Sequence, residues 1–216
     1  MPSRRRVHQA PVIALDIDGT LGDYHTHFTK FAEKWVGREM PDPLENTGGE
    51  PLYKWLGMSK STYRQCKLAF RQGGLKRSMP VYPYVKEAVR TLRKDADVWI
   101  CTTRPYLRLD SIDPDTRHWL RRNGIQYDGV LFGEHKYRDL HRIVGGERIV
   151  CVVDDEPEHF DRAAALGMYP ILRTQPYNLY RGDIARRCDD TFSMLASCQG
   201  MLQGWRETHA RLARKA

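Results

Sequence analysis

The apolar run Val12-Ile13-Ala14-Leu15 breaks abruptly into Asp16-Ile17-Asp18-Gly19-Thr20, and this junction constrains the fold more than any other stretch of the chain. Four apolar residues bounded in this way read as one buried strand. Two carboxylates one residue apart then leave its C-terminal end. Along a strand they would point to opposite faces. They converge on one ligand only if the backbone turns at once, and Gly19 permits that turn. Open α/β sheets hold their ligands at this carboxyl edge. A carboxylate there serves as a nucleophile toward phosphorus, as a metal ligand, or as both.

The rest of the chain supplies the sheet. Strand-like runs recur at residues 97–102, 129–132, 148–153 and 169–172, with helical patterns between them. That alternation predicts a doubly wound, Rossmann-like parallel sheet. Helices are expected at 85–94, at 113–124 between Asp113-Pro114 and Gly124, at 158–166 before Gly167, and at 190–212. In the last of these, Phe192, Leu195, Met201, Leu202 and Trp205 are candidate core contacts. Residues 24–81 break the rhythm. They hold two helical pieces, 26–36 and 59–71, around a loop rich in proline and glycine, and eight aromatic residues. The expected organisation is a small helical cap, 24–81, inserted into a core made of 8–23 and 82–216.

Composition narrows the partners. At 216 residues and 41% hydrophobic, the chain suits one core domain with a modest insert. A formal net charge of +8 favours anionic partners such as nucleotides, phosphate esters or nucleic acid. The arginines and lysines are mostly scattered, as on a solvated surface; the densest basic pieces are Arg4-Arg5-Arg6 and the tail from Arg206 to Lys215. No apolar stretch reaches membrane-spanning length and no apolar signal core follows the start, so no membrane partner is expected. Five cysteines without paired short spacing fit a reducing cytoplasm, with Cys101 and Cys151 as buried thiols.

Three more predicted strand ends carry chemistry. Thr102 and Thr103 follow the second strand, Lys136 follows the third, and Asp154-Asp155 closes the fourth. Each is weak alone; the ordered set is strong. With Asp16-Ile17-Asp18-Gly19-Thr20 it resembles the four motifs of the haloacid dehalogenase superfamily of aspartate-nucleophile phosphatases, over residues 11–175. A narrower resemblance is to the 5'(3')-deoxyribonucleotidases. It rests on Gly74-Leu75, on Met79-Pro80-Val81-Tyr82-Pro83, on Ile100-Cys101-Thr102-Thr103 and on Gln175-Pro176-Tyr177-Asn178. Two positions depart from it. Thr20 stands where those enzymes often carry valine, and Arg104 is similar to an arginine of polynucleotide end-healing phosphatases.

The resemblance implies a role for each residue, and each role has a physical reason. Mg²⁺ prefers oxygen ligands, so Asp16, Asp154, the backbone carbonyl of Asp18 and, directly or through water, Asp155 form its expected site. Asp16 is the nucleophile and Asp18 the general acid and base. Thr102 holds phosphoryl oxygens, with Thr103 as an alternative, and Lys136 offsets their charge, with Arg138 as an alternative. Asp155 as a helix cap is a further alternative. His25, His27 and His135 lack transition-metal spacing.

Thr103, Arg104, Phe28, Trp55 and Phe70 are the candidate substrate contacts. One or more of the three rings would stack on a base, unless they build the cap's own core. The expected activity is hydrolysis of deoxyribonucleoside monophosphates through an aspartyl-phosphate. A 3'-phosphatase acting on nucleic acid ends is the alternative. A non-catalytic binding module on the same fold is a third reading.

Overall fold

In the computed structural model, which describes residues 10–105 and 109–214, six parallel strands form one sheet in the order β3-β2-β1-β4-β5-β6. They are β1 (Val12–Leu15), β2 (Asp97–Thr102), β3 (Gly129–Phe132), β4 (Ile149–Asp154), β5 (Pro170–Arg173) and β6 (Arg187–Cys188). This is the doubly wound sheet expected from the alternating pattern. β1 and β4 are wholly buried because helices cover both faces, which is why they read as unbroken apolar runs. Ile13 and Leu15 face one apolar layer and Val12 and Ala14 the other. Cys101 and Cys151 are buried free thiols.

Helices α4 (Val85–Leu92), α5 (Ile112–Arg122) and α8 (Thr191–Ala213) supply the first layer; α6 (Lys136–Val144) and α7 (Pro157–Ala165) supply the second. An Asp190–Ser193 capping box starts α8. Within it Met194, Cys198 and Leu202 are buried, and Leu195, Met201 and Trp205 pack partly against them. Phe192 is 59% exposed, contrary to expectation, because at the second position of the helix it lies outside the core, against the exposed Tyr84 ring at 4.8 Å. Helix α5 begins at Ile112, one residue before the expected cap, so Asp113 lies in the first turn and pairs with Arg117. The α6 and β6 elements were not expected.

Between β1 and α4 the chain runs through α1 (Tyr24–Val36), the short α2 (Leu52–Trp55), α3 (Lys60–Gln72) and a 3-10 turn at Leu75–Ser78. Asp23 caps α1 and Ser59 caps α3 through side-chain oxygens. Phe28 and Phe70 meet edge to face at 5.4 Å and lock α1 onto α3. These residues and Leu56 continue the apolar layer that includes Ile13 and Leu15 without a break. The chain leaves and re-enters the sheet region side by side. Gly22 bridges Val81, and Tyr82 N–H donates to Leu21 O at 2.9 Å. Among the described residues no helix is long and apolar enough to cross a membrane. Arg4-Arg5-Arg6 and Lys215 lie outside the described residues; Arg206, on α8, pairs with Asp95 at 2.7 Å.

Candidate active site

Strand order assembles the site. β1 and β4 are neighbours in which Leu15 pairs with Val153, so Asp16 and Asp154 leave the sheet side by side. This is the carboxyl edge where the strand order reverses, the crevice that open α/β sheets use for ligands. Lys136 opens α6 just past β3 and reaches back to the same point. Its Nζ lies 2.5 Å from Asp16 Oδ1 and 2.6 Å from Asp154 Oδ2. The expected alternative, Arg138, is exposed.

A second ring of residues fixes the carboxylates. Tyr137 Oη donates to Asp154 Oδ2 at 2.5 Å, and the Glu156 N–H donates to Oδ1 at 3.0 Å. Thr20 Oγ1 donates to Asp155 Oδ1 at 3.1 Å, and Tyr177 Oη donates to Oδ2 at 2.5 Å. Thr20 therefore has a use that valine could not serve. The 175–178 loop also ties down the first turn, since Gln175 Nε2 donates to Gly19 O at 2.6 Å. Gly19 has φ +94°, and a Cβ there would collide with the Asp155 carboxylate and the Tyr177 hydroxyl. Gly19→Ala is expected to cost roughly 1–3 kcal/mol in backbone strain alone and to displace Asp155 as well. Urea unfolding measures the first effect, and a weakened response to added metal reveals the second.

The charge balance here is acidic. Asp16, Asp154, Asp155 and Glu156 lie at one strand edge, and the Lys136 ammonium pairs with Asp16 and Asp154. Burial pushes the Asp16 carboxyl up to about 7; Lys136 pulls against that shift, and Asp154 and Asp18 add to it. Burial, with Asp154 beside it, pushes Asp155 well above the usual carboxylate range. Burial and Asp154 also raise Glu156, to about 7. Burial works against the Lys136 charge, but Asp154 and Asp16 outweigh it and hold the ammonium above its usual pKa. One oxygen from each of Asp16, Asp154 and Asp155 lies within 4.8 Å of the others, all on buried residues. Three hard oxygen donors and uncompensated negative charge fit a divalent metal ion. His25, His27 and His135 are not in this cluster.

Asp18 takes the opposite environment. Arg104 donates to it through Nε at 3.2 Å and through Nη2 at 2.6 Å, and Lys76 Nζ donates at 2.5 Å. Both cations are buried. Burial alone would raise the Asp18 carboxyl, but Arg104 and then Lys76 hold it well below the usual range. The cost falls on Lys76, which burial lowers to about 7 despite the attraction of Asp18. Lys76 was not anticipated. It sits in a 3-10 turn without periodicity, 58 residues from its partner.

These groups floor a cavity of about 370 Å³ between the sheet edge and the 24–81 segment. Asp16, Asp18, Lys136, Thr103 and Arg104 line it. Thr102, expected to face the phosphoryl group, is 1% exposed at the end of β2, and Thr103 forms the wall instead. The three aromatic expectations fail. Phe28 and Phe70 are in the packed layer at 0% and 1% exposure. Trp55 packs against that layer and donates its indole N–H to Asp42 O at 2.9 Å. The aromatic walls are Tyr24, Tyr53, Tyr63, Tyr177 and Tyr180, with His25 stacked on Tyr177 at 4.1 Å. At the far side Gly49 lies against the Tyr180 ring so closely that a Cβ would overlap it.

Comparison with known proteins agrees with this geometry. The family model described as 5' nucleotidase, deoxy (pyrimidine), cytosolic type C protein matches residues 10–194. No curated protein matches the sequence. Among solved structures, a haloacid dehalogenase-like hydrolase from Streptococcus pneumoniae is similar at TM-score 0.63 and 18% identity, covering 87% of this chain and 97% of that one. The HAD-hydrolase YfnB from Bacillus subtilis, solved bound to magnesium, gives 0.60 and 10%, covering 88% and 99%. CbbY from Rhodobacter sphaeroides, solved with phosphate, gives 0.58 and 17%, covering 88% and 100%. At these identities the structures speak for the fold. The family match, spanning most of the chain, together with the ordered carboxylate and lysine site, makes this protein a haloacid dehalogenase-type phosphomonoester hydrolase that belongs to the cytosolic type C 5'-nucleotidase family.

Proposed function

We propose that this protein hydrolyses deoxyribonucleoside monophosphates, with Mg²⁺ as cofactor and Asp16 as nucleophile. The observation that carries the reading is the buried Asp16, Asp154 and Asp155 cluster, with Lys136, under a cavity walled by tyrosines. The family match and the cavity size, within the usual range for small ligands, support a nucleotide as substrate. Asp16, Asp154, Asp155 and the Asp18 carbonyl would hold the Mg²⁺. When bound, it neutralises charge so that a carboxylate and a phosphate dianion can meet.

In this reading Asp16 attacks phosphorus, the ester P–O bond breaks, and an aspartyl-phosphate forms. Asp18 gives a proton to the leaving oxygen. It then takes one from the water that releases inorganic phosphate and regenerates Asp16. In the structure Asp18 sits between Arg104 and Lys76, which favour its carboxylate form. An arriving phosphate competes for both cations and repels the carboxylate, which raises its proton affinity as chemistry begins. Asp18→Asn is expected to lower kcat by about 10²–10⁴-fold with a smaller change in KM; equal loss in both parameters would sink the acid–base assignment.

Arg104, which together with the +8 charge and the basic tail favours a nucleic acid end as substrate, bonds Asp18 in the structure. Phosphate release from a panel of deoxyribonucleoside monophosphates and from a 3'-phosphorylated oligonucleotide, each with Mg²⁺ or EDTA, tests the proposal. Release from the monomers that EDTA abolishes supports it. Preference for the oligonucleotide overturns it.

A further inference from the structure

The cavity is lined by five lysine and arginine side chains, and three of them are paired with carboxylates. Lys136 serves Asp16 and Asp154, while Lys76 and Arg104 serve Asp18. The other two are Lys67 and Arg71. They stand one turn apart on α3, in a row with Tyr63, and all three face the cavity. Neither makes an ion pair among the described residues. Lys67 Nζ lies 5.2 Å from the centroid of the Tyr63 ring.

Like charges spaced i, i+4 on a helix destabilise it. Burial lowers Lys67 to about 8, and Arg71 pushes it the same way; Asp18, Glu156 and Glu134 attract it only from a distance. A pair of partly desolvated cations, held together against their own repulsion and aimed into a ligand cavity, calls for an anion that the protein does not supply. In the nucleotidase reading the scissile phosphate lies against Asp16, beside Lys136, with Lys76 and Arg104 on neighbouring Asp18, which leaves Lys67 and Arg71 for a different anion.

We infer that Lys67 and Arg71 form a second phosphate subsite, so that the substrate class is a nucleoside carrying two separated phosphates, such as a 3',5'-bisphosphate. This rests on the nucleotidase reading and refines its substrate. The row Tyr63, Lys67, Arg71 places an aromatic face beside two cations, which suits a nucleoside with its phosphate. A strand end would also bring a second phosphate. Gly49 packs against the Tyr180 ring in the cavity lining, a narrowing that favours the small molecule over a polymer.

Calorimetric binding to the full-length Asp16→Asn protein with Mg²⁺ tests the inference without turnover. The probes are thymidine 5'-monophosphate, thymidine 3',5'-bisphosphate and a 3'-phosphorylated oligonucleotide. The bisphosphate is expected to bind about tenfold or more tightly than the monophosphate, as one charge-assisted contact predicts. In a Lys67→Gln, Arg71→Gln background that ratio should fall to about one, with the melting temperature held or raised because a repulsion is removed. A ratio near one in the parent overturns the subsite, as does a ratio that survives the double substitution. Tightest binding by the oligonucleotide overturns the small-molecule assignment. The hydrolase reading fails separately, if unsubstituted protein with Mg²⁺ releases no phosphate from any monoester tested.

Discussion

Asp16→Asn is expected to cut phosphate release by about four orders of magnitude or more, the scale seen when a covalent nucleophile is removed. The same substitution should make the metal-free protein more stable at pH 8. The sign follows from the raised pKa. Asp16 titrates near 7 in the folded chain against 3.8 ordinarily. Its favourable contribution is therefore complete below about pH 4 and is lost as pH rises toward 7. Asn never ionises, so the variant and its parent should melt together near pH 4 and diverge above it. Mg²⁺ should narrow the gap by stabilising only the parent strongly. A variant that is dead but less stable at pH 8 would mean that Asp16 is held chiefly for its ion pair with Lys136.

Lys136→Met should fail in the other direction. Among the described residues the ammonium is the one cation paired with both Asp16 and Asp154, and all three residues are buried. Removing one partner from a buried ion pair costs about 3–5 kcal/mol because the charge left behind has no water to replace it. Urea unfolding without metal measures that loss. Added Mg²⁺ should recover more stability in the variant than in the parent, since the carboxylates it leaves unpaired are the same ones that fit a divalent ion. Activity with Mg²⁺ should still fall by about 10²–10³-fold, the usual scale for losing one electrostatic donor at a reacting centre. Near-parental stability without metal would show that Tyr137 and Glu156 N–H suffice to hold Asp154.

The strands and the chemistry at their ends were legible because both depend on local pattern and on one topological rule. Parallel strands buried on both faces must be apolar throughout, so β1 and β4 stand out. Once the order of strands is known, Asp16, Lys136 and Asp154 have to meet. The two-residue β6 carries no such pattern; it is held by Arg187, whose guanidinium bonds carbonyl oxygens of Asn178 and Arg181. In α6 the signal was present as Tyr137, Leu140 and Val144, but six other residues dilute it. The aromatic contacts failed for a different reason. Phe28 and Phe70 have no polar atom and Trp55 only its indole N–H, and rings of this kind pack readily into or against the apolar layer. Tyrosines, whose hydroxyls need a polar partner or water, remain at the cavity wall. Lys76 was invisible because its importance arises only from the fold bringing residue 76 against residue 18.

The Gly22–Val81 bridge has a consequence for how such a protein can change over time. The chain departs from the sheet region and returns at adjacent points, so the ends of the intervening segment are already neighbours. Altering the length of a segment with fixed, adjacent ends costs little loop entropy. Lys67, Arg71 and the tyrosines of α1 to α3 lie within it, whereas Asp16, Lys136, Asp154 and Asp155 all lie outside. Insertions, deletions or exchange of that segment can therefore remodel what is recognised while leaving bond cleavage intact. Lys76 ties the segment to the rest of the fold through Asp18, as His25 does through Tyr177 and Arg77 through Asp115, and these are positions at which a transplanted segment would first have to be made compatible.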